Sequence, residues 1–212
     1  MDEYLKDPIA IEEKSFAMIK AASDLSGFDE EQQQVVMRLI HTCGNPEIVE
    51  NVRISEQAVS KGVAALVKKS AVLCDVEMVR NGLTKRFLEV APSCFLNQPN
   101  VAETARLRGE SRTMCALDHW KGQVEGAIAI IGNAPTALYR LMEMIEQGNE
   151  KPALIIGIPV GFVGAAESKN YLWRHHEQLG VECITILGRT GGSALAAGAF
   201  NTLVRLQRGL RF

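Results

Sequence analysis

The chain has 212 residues, of which 47% are hydrophobic and 23% charged, and a formal net charge of −2 at pH 7. This composition is typical of a folded globular protein and excludes disordered and fibrous classes. Residues 1–60 hold 12 acidic and 5 basic side chains, so the rest of the chain is mildly basic. That positive charge is too weak and scattered for a nucleic-acid interface, although it suits a small polyanion. We therefore expect no nucleic-acid partner.

Targeting and metal-binding signals are missing from the sequence. The acidic segment MDEYLKDPIAIEEK is unlike a secretion signal, and no uncharged stretch is long and apolar enough to span a bilayer. The five cysteines are widely spaced, and no C-x-x-C pair occurs. This spacing predicts reduced thiols and no structural metal site. We expect a cytoplasmic protein that does not associate with membranes.

Helical patterns come first along the chain. Residues 9–25 and 29–43 are predicted to be helices, the second opened by Asp29 with Gln32 at the capping-box position and closed by Gly44. Ser55 is predicted to cap a third helix through residue 69.

Strands and helices alternate from residue 71 onward. Short apolar runs predict strands at residues 71–76, 90–96, 127–131, 153–158 and 182–187. Because helical crossovers join them, the strands should pair in parallel with helices on both faces. The predicted fold is a three-layer α/β/α sandwich with a mainly parallel sheet and the N-terminal helices packed alongside. Residues 1–212 are expected to form one domain.

The segments between these strands carry their own signals. Residues 77–82, which end in Asn-Gly, are expected to form a loop. Asn100 followed by Glu103 is typical of a capping box, and the helix it opens is expected to continue past Gly109 to about Trp120. Pro135 stands where a first helical turn tolerates proline.

The most informative local pattern is the glycine-rich turn after the strand at residues 153–158. Gly157, Gly161 and Gly164 follow one another there, and the next helix should direct its free N–H groups towards the turn. An anionic or carbonyl-bearing small molecule would fit such a turn. Alternatively, the glycines only shape a tight connection between strand and helix.

His41 is the candidate catalytic residue. At 100° per residue, the apolar side chains of the helix at 29–43 cover one side, whereas Gln34, Arg38 and His41 gather on the other. His41 is either a proton donor at the edge of a site, with Arg38 beside it to bind a carboxylate, or a solvated histidine at a helix C-terminus.

Three other charged side chains have two interpretations each. Asp75 and Glu77 flank Val76 at a strand end, where they could act as paired acid and base or could cap backbone N–H groups. Arg112 is either a carboxylate clamp or a solvated charge. The sequence contains no G-x-S-x-G elbow, P-loop or G-x-G-x-x-G fingerprint, which weakens serine hydrolase, NTPase and dinucleotide-binding interpretations.

Several long segments resemble one family across nearly the whole length. The segments are PIAIEEKSFAMI, RLIHTCG, LCDVEMV with NGLTK, IGNAPTALYRLMEMI, IIGIPVGFVGAAESK and GRTGGSALAAGAFN. They resemble the precorrin-8X methylmutases and cobalt-precorrin-8 methylmutases of corrin ring and vitamin B12 (cobalamin) biosynthesis, a part of porphyrin metabolism. The segment ETARLRGESRTMC departs most from the family pattern.

The resemblance implies a homodimeric α/β isomerase. Such an enzyme moves a methyl group from C11 to C12 of a tetrapyrrole by a 1,5-sigmatropic shift, giving hydrogenobyrinate or cobyrinate, and needs no cofactor and no protein-bound metal. By position, His41 matches the family's catalytic histidine, which assists protonation at ring C. The substrate-binding residues implied by the resemblance are Ser15, Arg38, Thr84, Arg112, Asn133, Gly157 and Gly161.

Two alternatives remain open at the level of the sequence. A non-catalytic corrinoid carrier would need the same cavity but no role for His41. An enzyme of phosphorylated small molecules would use the turn at residues 157–164 as a phosphate cradle.

Overall fold

The computed structural model describes residues 4–148 and 150–212, and the strands within them form one sheet. The strands are β1 (Val52–Ile54), β2 (Val72–Cys74), β3 (Ser93–Cys94), β4 (Ile128–Ile131), β5 (Leu154–Gly157) and β6 (Glu182–Ile186). The helices are α1 (Pro8–Ala22), α2 (Glu30–Cys43), α3 (Ala58–Val67), α4 (Glu77–Gly82), α5 (Val101–Arg108), α6 (Arg112–Ala116), α7 (Pro135–Glu146), α8 (Ala165–Leu179) and α9 (Ser193–Gln207). Short 3-10 turns occupy Pro46–Asn51, Lys85–Phe87 and Leu117–Trp120.

The sheet has the strand order β1-β6-β5-β4-β2-β3. Strands β2 to β6 pair in parallel, and β1 runs antiparallel to β6 with Val52 opposite Ile186. The predicted α/β class with a mainly parallel sheet is therefore confirmed. The edge strand β1 is absent from the sequence-based prediction because three residues are too few to show an alternating pattern.

Two hydrophobic cores lie on the two faces of the sheet. Ile130 and Ile156 face one core, which includes residues of α1, α2, α3, α4 and α9. Their neighbours Ile131 and Ile155 face the other core, which is built largely by α7 and α8 with the buried ring of Trp120. This alternation produces the three layers predicted from the sequence.

Two predictions are wrong, one for the start of α3 and one for the segment after β2. Ser55 does not cap α3, whose N-cap is Gln57 without a side-chain hydrogen bond. The Ser55 hydroxyl instead donates to the Glu182 carboxylate at 2.5 Å and accepts from the backbone of Cys183, so it reinforces the pairing of β1 with β6. Residues 77–82, predicted to be a loop, form the helix α4.

The predicted helix from Asn100 to about Trp120 is interrupted. It ends at Gly109, whose φ of 66° is left-handed, and α6 begins afresh with Ser111 as a side-chain cap. Asn100 makes no side-chain capping bond. A left-handed glycine ends a helix more effectively than the apolar pattern beyond it can extend one.

Helix α9 packs closely against α2, and this contact positions the site. A Cβ atom on Gly198 would lie 2.9 Å from the Thr42 hydroxyl oxygen and 3.7 Å from Cγ of Arg38. The two helices can approach this closely because Gly198 has no side chain. The C-terminal turns of α2, including His41, are thereby held at the end of α9 that follows β6.

Candidate active site

His41 lies in the last turn of α2, facing Ser15 of α1. Its Nδ1 atom is 2.9 Å from the Ser15 hydroxyl oxygen, and its ring stacks on Phe16 with the centroids 5.2 Å apart. The helix end is fixed by the left-handed Gly44, whose N–H donates to the Ile40 carbonyl. The His41 side chain is exposed, as the helical pattern predicts.

A cavity of about 320 Å³ opens beside the His41 ring. It is lined by Ser15, Met18, Ile19, Ala22, Ile40, His41, Gly44 and Pro46. A cleft of about 540 Å³ adjoins it, shares Ala22 and Pro46, and presents the acidic side chains of Asp24, Glu47 and Glu50. The walls near His41 are thus largely apolar, and the far side is acidic.

The pKa of His41 lies below its usual value. Partial burial is the main cause, the positive charge of Arg38 lowers the pKa further, and Glu12 opposes both effects. The neutral imidazole is therefore favoured at pH 7 in the free protein. A ligand that neutralised Arg38 would raise the pKa of His41.

Two guanidinium groups share one carboxylate next to His41. Nη2 of Arg38 donates to Oε1 of Glu12 at 3.2 Å, and Nη1 of Arg205 in α9 lies 3.7 Å from the same oxygen. Burial lowers the pKa of Arg38, the Glu12 carboxylate opposes that fall, and the positive charge of Arg205 adds to it. The cluster of Arg38, Arg205 and Glu12 has two positive side chains and one negative side chain, so its net charge is positive.

The ring of Phe212 packs against both arginines. It stacks on Phe16 with the centroids 4.0 Å apart, and the Cζ atoms of Arg38 and Arg205 each lie 4.3 Å from its centroid. Its backbone N–H donates to Oε1 of Gln34 at 2.6 Å. Gln34 shares the predicted side of α2 with Arg38 but is buried there, because the chain after α9 folds back over it.

The glycine-rich turn separates into a packing position and an open one. Gly157 is buried within β5, where a Cβ atom would lie 2.8 Å from Leu172 and 3.3 Å from Leu138. Its lack of a side chain is explained by packing, and its placement gives no support to the predicted substrate contact. Gly161, with a φ of 144°, has open space where a Cβ atom would stand.

The turn is braced by the loop that precedes α9. The Gly192 N–H donates to the Ile158 carbonyl at 2.8 Å, and a Cβ atom on Gly191 would collide with the carbonyl oxygens of Ile158 and Pro159. Because α9 begins at Ser193, this pair of loops connects the glycine-rich turn directly to the helix that supports Arg38.

Lys169 of α8 is fully buried beside these loops. Its ammonium group donates to the Thr190 carbonyl at 2.5 Å, and no ion pair involves it in the described part of the chain. Burial lowers the pKa of Lys169 to about 8. The residue holds the loop before α9 at the cost of a buried charge.

Asp75 has a structural role, which decides between its two interpretations. Its carboxylate is 1% exposed and accepts hydrogen bonds from the backbone N–H groups of Gly132, Asn133 and Ala134 at 2.9 to 3.2 Å. Burial raises the pKa of Asp75, and these hydrogen bonds oppose the rise. Glu77 forms an ion pair with an arginine in its own helix. Asp75 therefore caps the turn before α7, and Asn133 stands half-buried at the carboxyl end of β4.

Among residues 4–148 and 150–212, the hydrogen bonds of Thr84 and Arg112 are made to groups other than Ser15, Arg38 and His41. The Thr84 N–H donates to Oδ1 of Asn201 at 2.8 Å, and Nδ2 of Asn201 donates to the Gly82 carbonyl at 2.9 Å. Thr84 is thus attached to α9, the helix that also carries Arg205. Arg112 is exposed and donates to the Leu96 carbonyl and the neighbouring side-chain amide.

The site contains residues that the sequence reasoning missed. Glu12 could have been found, because it lies three and four positions before Ser15 and Phe16 and so shares their face of α1. Arg205 and Phe212 had no local signal, since only the tertiary fold brings them to α2.

Residues 4–148 and 150–212 contain neither a membrane-spanning helix nor a metal-binding cluster. No helix there combines the length and apolar character required to cross a bilayer. No group of three or more His, Cys, Asp or Glu side chains in those ranges could hold a metal ion.

Comparisons with known proteins agree on one family. A profile described as "CbiC: Precorrin-8X methylmutase" matches residues 10–206. The chain is 44% identical to precorrin-8X methylmutase of Pseudomonas aeruginosa, covering 96% of this chain and 98% of that one. It is 34% identical to cobalt-precorrin-8 methylmutase of Leptospira interrogans, covering 92% of each. The crystal structure of precorrin-8X methylmutase from Thermus thermophilus is similar, with a TM-score of 0.81 and 35% identity over 94% of this chain and 98% of that chain.

Proposed function

Because the chain belongs to the precorrin-8X methylmutase family, we propose that it moves a methyl group from C11 to C12 of a precorrin-8 tetrapyrrole with His41 as proton donor. The chain is an isomerase of cobalamin biosynthesis, and its product is hydrogenobyrinate or, from the cobalt-containing substrate, cobyrinate. The observation that carries the role of His41 is its 2.9 Å hydrogen bond to Ser15 in the wall of the cavity.

The chemistry requires a placed proton rather than a nucleophile. In the shift, the bond from the methyl group to C11 breaks as the bond to C12 forms, so the composition does not change. In the protonated imidazole both ring nitrogens are donors, so Nδ1–H donates to the Ser15 oxygen and Nε2–H is left for the substrate. His41 donates a proton to ring C, which polarises the conjugated system, and accepts the proton back when the rearrangement is complete.

Binding of the substrate should raise the pKa of His41. A peripheral carboxylate bound by Arg38 would cancel the positive charge that lowers the pKa of His41. The protonated imidazole would then be more populated in the complex than in the free protein. Salt screens the attraction between exposed charges, with a Debye length of about 8 Å at physiological ionic strength. We therefore expect added salt to weaken the binding of the carboxylate to Arg38.

We propose that a second copy of the chain completes the site. A cavity of about 320 Å³ is small for a tetrapyrrole, since pockets of about 300 to 1,000 Å³ hold drug-sized ligands. The exposed apolar side chains of Ile11 and Met18 lie on the helix that forms its wall, where a partner could cover them. Light scattering should give twice the chain mass at micromolar concentration; a fully active monomer would contradict the homodimer.

Domain organisation and location complete the proposal. Residues 1–212 act as one domain, supported by the single sheet and by one family match over residues 10–206. We place the protein in the cytoplasm, which is supported by its membership of a biosynthetic enzyme family.

The test is His41→Ala, with His175→Ala as the matched control. Loss of general acid catalysis should slow turnover by about 10² to 10⁴-fold, measured anaerobically by the spectral change to corrin, while hydrogenobyrinate still binds. His175, which stacks on Tyr171 away from α2, should be replaceable without loss. Turnover of the His41→Ala variant within a few-fold of wild type would remove His41 from the mechanism. A wild-type protein that binds the corrinoid but does not turn it over would indicate a corrinoid carrier.

A further inference from the structure

We propose that Arg205 binds a substrate carboxylate together with Arg38, and that Glu12 is the counterion that this carboxylate displaces. The inference rests on the proposed function, because it assumes a polycarboxylate tetrapyrrole as the ligand. It adds a binding residue, Arg205, that neither the sequence motifs nor the resemblance assigns.

The charge of the cluster is unbalanced in the way an anion site requires. Two guanidinium groups face one side-chain carboxylate, and that carboxylate is itself half-exposed, with 43% of the Glu12 side chain accessible. Arg205 is poorly satisfied, because 3.7 Å to Glu12 is longer than a hydrogen bond and its Nε atom has no hydrogen-bond partner in the described residues. That Nε atom is buried, but the Arg205 side chain is 31% accessible, so an incoming carboxylate would find unused donors on its Nη atoms.

The arginines are held in position before the ligand arrives. Both Cζ atoms lie 4.3 Å from the centroid of Phe212, whose own backbone is fixed by the buried Gln34. Stacked guanidinium planes lose less side-chain freedom on binding than free ones, and their fork of N–H groups suits a carboxylate. Phe212 lies beyond residue 206, where the family match ends.

The surroundings direct carboxylates to this side of His41. Phe16 touches both the His41 ring and the Phe212 ring, so the arginine pair lies one aromatic ring away from the proposed proton donor. The cleft on the other side of the cavity presents Asp24, Glu47 and Glu50, which would repel an anionic substituent. A macrocycle with several carboxylates is therefore oriented as well as bound.

The experiment measures the affinity of hydrogenobyrinate and of its fully esterified form by titration. Arg205→Gln should weaken hydrogenobyrinate binding about 10-fold, as expected for a lost charge-assisted hydrogen bond, and should leave the ester unaffected. Arg208→Gln is the matched control, because Arg208 follows the same helix but stacks on Phe87 outside the cluster. Its affinity should equal that of wild type.

The direction in which Glu12→Gln changes the affinity for hydrogenobyrinate is the sharper test. If Glu12 is a displaceable counterion, Glu12→Gln should tighten binding about 3-fold or more because the carboxylate no longer competes with a ligand carboxylate for the guanidinium groups. Weaker binding in Glu12→Gln, or unchanged binding in a folded Arg205→Gln, would overturn the proposal. If Arg205→Gln does not fold, Glu12→Gln decides alone. A wild-type protein that does not bind hydrogenobyrinate would refute the proposed function instead, so the two failures are distinguishable.

Discussion

Replacing the buried Lys169 with methionine should stabilise the fold in a pH-dependent manner. Its pKa is lowered from 10.5 to about 8, and each pKa unit corresponds to about 1.4 kcal/mol, so the charged form costs about 3 kcal/mol in the folded state. The unfolded chain binds this proton more tightly, so the cost is complete below pH 8 and disappears as the pH rises towards 10.5. Methionine fills similar space but loses the hydrogen bond to Thr190, which is worth about 1 kcal/mol.

The net gain for Lys169→Met should therefore be about 2 kcal/mol at pH 7 and close to zero or negative at pH 10. Urea unfolding of wild type and variant at both pH values measures it, because the difference between the two proteins cancels every other titrating group. The exposed Lys68, replaced in the same way, is the matched control and should show no such change between the pH values. An equal difference in the free energy of unfolding at pH 7 and pH 10 would refute a buried ammonium in the native state.

Three further outcomes test the site and the fold. Ser15→Ala removes one hydrogen bond to His41, worth about 0.5 to 1.5 kcal/mol, so turnover should fall about 2- to 12-fold; a loss as large as that of His41→Ala would make Ser15 a catalytic group. Because the pKa of His41 is lowered, kcat/KM should rise as the pH falls from 7.5 through that pKa, and a profile that rises with pH would contradict a proton donor. Gly157→Ala should cost about 1 to 3 kcal/mol of stability through overpacking, whereas Gly27→Ala, with no atom within 4 Å of the new Cβ, should be nearly neutral. Lost substrate affinity at unchanged stability in Gly157→Ala would support its predicted role in binding.

The sequence was sufficient for the five parallel strands of the sheet and for the face of α2 that carries His41. Buried parallel strands are short apolar runs joined by helices, and each of the five predicted strands contains an observed one, with boundaries that differ by at most three residues. The helix face followed because α2 is amphipathic, with Leu39 and Ile40 buried and His41 exposed.

What the sequence could not supply are contacts made between distant parts of the chain. Gln34 and Arg205 are ordinary polar residues of amphipathic helices until Phe212 is placed between α2 and α9. Gly157 had the same appearance as Gly161, because a strand glycine needed for packing and a loop glycine open to a ligand differ only in their neighbours. Lys169 could not be recognised as buried, since lysine on a helix is usually solvated.

The packing of α2 on α9 has a consequence for the order in which the molecule forms. Helices α1 and α2 carry Ser15 and His41 and are synthesised before β6, the partner of β1, and before the supporting helix at residues 193–207. Ser15 and His41 are therefore synthesised before the helix that immobilises them, and until then the apolar sides of α1 and α2 have no α9 to pack against. Such long-range pairing is slow to form and exposes hydrophobic surface meanwhile. Assembly of the active site should thus coincide with completion of the fold rather than precede it.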